Sequence, residues 1–263
     1  MTSTNPIGVF DSGIGGISIW KELVQHLPNE NTIYLADSKN APYGERSKQE
    51  IINLSVKNTE LLLKKNCKLI VVACNTATTN AIDYLRSNYD VPFIGIEPAI
   101  KPAALNTKTN AIGILATKGT LSSDLFHSTS QKFTEGITVI ETIGEGLVPF
   151  IENDQINSME MEHLLQNFLQ PMLQQKIDYL VLGCSHYPFL IPQIKKIVGN
   201  KLTIIDSGEA VARQTKAILE RHNLLNNSTT KPSHKLFSNA DIKTLARIVN
   251  GIDPSASVAF LNF

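Results

Sequence analysis

Residues 69–79 read LIVVACNTATT and residues 179–188 read YLVLGCSHYP. Each is an apolar run of strand length that stops at a cysteine and continues into polar residues. Such runs, without apolar–polar alternation, predict strands buried on both faces, as in a parallel sheet covered by helices. The same form recurs on either side. Ile7–Phe10 ends at DSGIGG (11–16), Thr32–Leu35 follows, and Phe93–Ile96 ends at Glu97. Ala111–Leu115 then ends at ATKGT (116–120), Val139–Ile140 is a weaker strand, and Leu202–Ile205 ends at DSG (206–208). Helical spacing of apolar residues lies between them, over Ile17–His26, Lys48–Lys65 and Met159–Gln174.

Two passes of one pattern predict a duplication. Asp11 stands 63 residues before Cys74, and Thr117 stands 67 before Cys184. Cys74 stands 23 residues before Glu97, and Cys184 stands 22 before Asp206. The expected fold class is α/β, with two similar flavodoxin-like, doubly wound parallel-sheet domains related by pseudo-symmetry. Strand-end loops of both domains would then surround one cleft, the usual ligand position in such sheets. Boundaries near Pro98–Pro102 and Asp206–Gly208 divide the chain into 1–97 plus 207–263, the side of Asp11 and Cys74, and 98–206, the side of Cys184 and His186. The tail after Glu209 begins with a helix, passes a polar loop at Asn226–Ser233 and is too short to fold alone. It is expected to return to the first domain.

Composition excludes several classes. Lys plus Arg is 24 and Asp plus Glu is 24 over 263 residues, so net charge gives no argument for nucleic acid or an anionic membrane as partner. Hydrophobic residues at 42% and charged residues at 18% fit a globular chain and not a disordered one. Three cysteines cannot build a disulfide scaffold and fit a reducing compartment. The N-terminal stretch MTSTNPIGVF has no basic, apolar signal pattern, and no apolar run approaches a membrane span. A soluble, cytoplasmic protein is expected.

Cys74 and Cys184 are the leading chemical candidates because both occupy the same slot in the two repeats. Cys67 lies between helix and strand, with no polar pair opening a helix after it, and reads as a small core residue. A disulfide between Cys74 and Cys184 lacks redox-motif spacing. Zinc with His186 lacks a second ligand pair, and a single nucleophilic cysteine with His186 is a further option. Proton transfer at carbon by two opposed thiols suits duplicated halves, since pseudo-symmetry places equivalent groups on opposite sides of a ligand. A thiol near a helix N-terminus can act as thiolate base or thiol acid. Asn75-Thr76 and Ser185-His186 each open an expected helix whose N–H groups can bind a carboxylate.

Asp11 and Ser12 precede a glycine-rich turn that is neither a dinucleotide fingerprint nor a Walker A loop. Asp11 can orient an ammonium group or assist a thiol, and Ser12 can donate to a carboxylate. APYGER (41–46) is a turn whose backbone, at Tyr43 and Gly44, can line the cleft. Glu152 and His186 are candidate acid–base or orienting groups.

These motifs together resemble bacterial glutamate racemases of the aspartate/glutamate racemase family. FDSGIGG (10–16), PYGER (42–46), VACNTAT (72–78), GLVP (146–149) with Glu152, and GCSHYP (183–188) carry the resemblance in order across residues 7 to 208. It implies a cofactor-independent racemase that interconverts L- and D-glutamate and supplies D-glutamate for peptidoglycan. Cys74 would serve the D-glutamate face, supported by Asp11, and Cys184 the L face, supported by His186 with Glu152 nearby. Asp11, Ser12, Tyr43, Gly44, Asn75, Thr76, Ser185 and His186 would contact the substrate. No metal or cofactor is implied, and family members are often homodimers. Ser185 stands where the family usually has threonine, and Ser38–Ala41 also departs from the usual pattern. A racemase of aspartate or a hydantoin is the alternative; a non-catalytic amino-acid-binding protein and a zinc protein are readings of other classes.

Overall fold

The computed structural model describes residues 2–263. Ten strands form two sheets, and every strand pair in both is parallel. The strands are β1 (Ile7–Asp11), β2 (Thr32–Ala36), β3 (Leu69–Val72), β4 (Phe93–Gly95), β5 (Ala111–Ala116), β6 (Thr138–Ile143), β7 (Tyr179–Gly183), β8 (Thr203–Ile205), β9 (His234–Ser238) and β10 (Ser257–Phe260). One sheet has the order β10-β9-β2-β1-β3-β4 and the other β6-β5-β7-β8. The second order matches the β2-β1-β3-β4 portion of the first. This is the duplicated flavodoxin-like arrangement expected from the strand spacings, and it puts the ends of β1, β3, β5 and β7 at equivalent places.

The apolar runs are buried on both faces because alternate side chains enter different cores. Val9, Val71 and Ala73 pack on one side of the first sheet, whereas Phe10, Ile70, Val72 and Cys74 pack on the other. In the second sheet Leu115, Leu180 and Leu182 join the first of these cores, and Ile112, Ile114 and Val181 form a separate one. The first core therefore continues between the sheets, through Ile14, Leu147, Ile151 and Leu190. The helix Met159–Gln174 contributes Met161, Leu165, Leu169 and Met172 from one face. The helix Lys48–Lys64 starts at a capping box between Ser47 and Glu50. The two connections between the sheets lie side by side, the Ser207 hydroxyl donating to the Glu97 carbonyl.

The tail returns to the first sheet. The helix Gly208–Arg221 packs on Ile17–His26, and β9 pairs with β2 from Thr32 opposite His234 to Ala36 opposite Ser238. Neither β9 nor β10 was expected from the sequence. β9 alternates buried and more exposed residues, and β10 is a largely exposed edge, so neither carries a continuous apolar run. Among the described residues no helix is long and apolar enough to cross a membrane.

At the base of the first sheet, a buried ion pair joins four segments. Lys68 Nζ donates to Glu30 Oε2 at 2.6 Å, to the Leu224 carbonyl at 2.8 Å and to the Ser3 carbonyl. Glu30 Oε1 accepts the Asn226 N–H at 2.8 Å. Glu30→Ala would leave the Lys68 ammonium buried without its counter-ion, at a cost of about 3–5 kcal/mol. Urea denaturation is expected to show that loss; an unchanged midpoint would contradict a structural role for the pair.

Candidate active site

The two cysteines arrive at the cleft differently. Cys74 is the N-cap of the helix Asn75–Asn88, and its Sγ accepts the Ala77 N–H at 3.4 Å. Cys184 follows β7 but does not open an α-helix as the sequence suggests. A 3-10 turn spans Tyr187–Leu190 and the α-helix begins only at Ile191. A helix opened at Ser185 would hold Pro192 in its interior, where proline loses a hydrogen bond and clashes with the preceding turn. Starting at Ile191 places Pro192 in the first turn, where it is tolerated. Of the two cysteines, only Cys74 therefore stands at the N-terminus of an α-helix.

Both thiols line one small cavity. Its walls include Ser12, Tyr43, Gly44, Asn75, Thr76, Ser185 and His186, all expected from the sequence, together with Thr117 and Val148, which were not. Thr117 was identifiable as the counterpart of Asp11 in the second repeat. It approaches Thr76 across the cleft, the two hydroxyls lying 2.8 Å apart. Asn75 is buried, and neither its side-chain nitrogen nor its oxygen has a hydrogen-bond partner among the described residues. Buried amides are ordinarily satisfied, so this one is available to a polar ligand. A larger hollow of about 260 Å³ shares Pro42, Gly44, Thr117 and Val148 with the cavity and is lined by neither thiol.

Asp11 and Glu152 lie behind the cavity wall. Asp11 Oδ2 accepts the N–H groups of Gly13 and Gly16 at 3.2 and 2.9 Å, and Oδ1 accepts the Ser185 hydroxyl at 3.1 Å. Asp11 thus shapes the glycine-rich turn and reaches the opposite half. Glu152 Oε1 accepts the Ile14 N–H at 2.7 Å and His186 Nε2–H at 2.6 Å, while Oε2 accepts the Ser38 hydroxyl at 3.1 Å. His186 Nδ1 lies 3.8 Å from Cys184 Sγ. The result is a chain from Glu152 through His186 to one thiol. The other thiol donates to the Ser12 hydroxyl at 3.7 Å.

This contact explains the glycines. A Cβ at Gly13 would stand 2.0 Å from Glu152 Oε1, and one at Gly15 would stand 2.3 Å from His186 Nδ1. Only a turn without side chains lets the first half press against the carboxylate and imidazole of the second.

Electrostatics separate the two sides. Burial raises the Cys74 thiol well above its ordinary value and the Asp11 carboxylate raises it further, against the Ala77 and Ser12 hydrogen bonds. Burial also raises Asp11, while His186 and the Gly16 N–H pull it back. For His186, burial acts downward, but the contacts with Cys184 and Glu152 and the charges of Asp11 and Glu152 outweigh it and hold the imidazole well above its usual range. That imidazole faces Cys184 Sγ through Nδ1, so the second thiol has a cationic neighbour where the first has an anionic one. Cys67 lies outside the site, its thiol pushed up to about 12 by burial. Among the described residues, no group of three or more His, Cys, Asp or Glu is placed to hold a metal ion.

Duplicated parallel sheets with one thiol from each half at a shared cavity define a class of two-domain α/β proteins equipped for acid–base chemistry on both faces of a small molecule. The family model for Asp/Glu/Hydantoin racemase matches residues 7–215, and the chain belongs to that family. It is 42% identical over 243 residues to a glutamate racemase of Herpetosiphon aurantiacus, covering 92% of this chain and 96% of that protein. The crystal structure of a glutamate racemase isoform from Bacillus anthracis superimposes with a TM-score of 0.86 at 30% identity, over 98% of both chains. The Escherichia coli glutamate racemase, solved with L-glutamate and the activator UDP-MurNAc-ala, gives the same TM-score and identity over 98% of both chains.

Two outcomes follow from the packing and the charges. Gly15→Ala overpacks the turn against His186 and is expected to destabilise the fold by about 1–3 kcal/mol, read from its urea midpoint; a wild-type midpoint would contradict the close approach. Alkylation of Cys74 by iodoacetamide, followed by mass spectrometry, is expected to accelerate with pH beyond 9, because its thiol is raised and more thiolate forms as pH climbs. A plateau below pH 8 would contradict the burial effect.

Proposed function

We propose that this chain racemises glutamate by proton transfer between two thiols, without pyridoxal chemistry. The observation that carries the proposal is the placement of Cys74 and Cys184 on one small cavity from equivalent positions of the two halves. Binding alone does not call for two thiols at matched strand ends. Identity to proteins named for glutamate favours that acid over the aspartate and hydantoin alternatives.

In the L-to-D direction Cys184, as thiolate beside the His186 imidazolium, takes the α-proton of L-glutamate. The C–H electron pair passes to the α-carbon and its carboxylate. Cys74, held as a thiol by burial and Asp11, gives its proton to the opposite face and becomes the thiolate. The reverse direction starts from that state. The carbanionic intermediate relies on hydrogen-bond donors already in place and on a site that excludes water. Asn75, Thr76 and the first N–H groups of the helix Asn75–Asn88 are suited to a carboxylate. Ser12, Tyr43, Gly44, Ser185 and His186 complete the contacts, and Asp11 and Glu152 position them from behind the wall.

The domains proposed are 1–97 with 207–263, and 98–206. The side-by-side crossings at Glu97 and Ser207 provide a natural hinge between them. The physiological reading is provision of D-glutamate for peptidoglycan in the cytoplasm, with a homodimer as the assembly carried over from the resemblance.

The test is polarimetry of L-glutamate with purified protein, followed by Cys74→Ser and Cys184→Ser. The wild type is expected to bring rotation to zero. Each variant is expected to lose about 10²–10⁴-fold in rate, the usual range for removal of a general acid or base. Full activity in either variant would eliminate the two-thiol mechanism, and no loss of rotation with the wild type would eliminate glutamate as substrate.

A further inference from the structure

Ser38 belongs to the first half, and the only catalytic-side group it touches belongs to the second. It opens the 3-10 turn Ser38–Asn40 immediately after β2 and Asp37. That turn is fixed on both flanks. Asp37 is buried and accepts Tyr43 Oη at 2.5 Å, Asn239 Nδ2 at 2.5 Å and Asn40 Nδ2 at 2.8 Å. The Lys39 N–H donates to Asn239 Oδ1 at 2.9 Å. The hydroxyl of Ser38 is thus delivered by a backbone held in place on either side, and it points to Glu152 Oε2 at 3.1 Å.

Glu152 needs that donor. Its carboxylate ends the helix Leu147–Glu152, where the helix dipole gives an anion no support. Oε1 is occupied by the Ile14 N–H and by His186, which leaves Oε2 to Ser38. Two donors on one oxygen fix that oxygen but not the plane of the carboxylate about it. The third donor, on the other oxygen, fixes the plane and so the direction in which the imidazole is held toward Cys184.

We propose that Ser38 is a positioning residue for the Cys184 half of the reaction, orienting Glu152 and through it His186. This rests on the racemase reading for its kinetic consequence and on geometry alone for its effect on His186. A cross-cleft donor of this kind also makes the Cys184 step dependent on closure of the two halves.

The experiment compares Ser38→Ala, Ser38→Thr and wild type by two readouts. The first is the α-deuterium isotope effect on kcat/KM, measured separately from L- and D-glutamate labelled at the α-carbon. Ser38→Ala is expected to lower kcat about tenfold, the size of one lost charge-assisted hydrogen bond. It slows proton transfer at one thiol only, so the two isotope effects should move in opposite directions, one rising as its labelled step becomes limiting and the other falling. General loosening of the pocket would move both together. Ser38→Thr, which keeps the hydroxyl, should restore both values. The second readout is the proton NMR resonance of the His186 Nε2–H bound to Glu152, which needs no turnover. It should shift in Ser38→Ala and return in Ser38→Thr. Isotope effects that stay unchanged or move together, or an unmoved resonance, would overturn the proposal. If the wild type does not racemise glutamate, the functional reading fails and the resonance alone decides the role of Ser38.

Discussion

Glu152 Oε1 accepts a backbone N–H from the turn after β1 and an imidazole N–H from the turn after β7. That shared oxygen joins the two halves at the point where their chemistry meets. The glycine-rich turn has to approach it without side chains, which is why Gly13 and Gly15 lie where any Cβ would overlap the carboxylate or the ring. The imidazole has to stay charged while buried, which the carboxylate makes tolerable. Cys184 depends on the imidazolium in turn.

The cross-wiring extends beyond one oxygen. Ser185, from the second half, donates to Asp11 of the first, and Thr117 meets Thr76 across the same gap. Each half therefore completes the other's binding wall. The duplication is nevertheless asymmetric in chemistry. Cys74 has a helix N-terminus and an anionic neighbour, whereas Cys184 has a 3-10 turn and a cationic one. Equivalent backbone positions have been given neighbours of opposite charge.

Much of this was legible in the residues, for identifiable reasons. β3 and β7 announce themselves because strands covered on both faces must be apolar throughout, and a cysteine at the end of each run marks the place where the sheet meets the cleft. β9 and β10 gave no such signal, since an alternating strand and an exposed edge look like loop. The approach of Tyr43 and Gly44 to the cavity could be anticipated from the turn after β2. Ser38 and the Ile14 N–H could not, because one is an ordinary loop hydroxyl and the other a backbone group. Their partner lies 114 and 138 residues away and only the tertiary fold brings it near. The α-helix expected directly after Cys184 failed on its prolines, at 188 and 192, which an α-helix opened there would have had to hold beyond its first turn.

The central claim is that two bases, one from each half, share a reaction at a single carbon. The most direct measurement is the early time course of deuterium uptake when unlabelled L-glutamate reacts in D₂O, with both enantiomers resolved. Two bases predict deuterium at the α-carbon of D-glutamate from the first turnovers, while the remaining L-glutamate keeps its proton until product builds up. Deuterium entering residual L-glutamate as fast as it enters D-glutamate would mean that one base serves both faces, and would contradict the account.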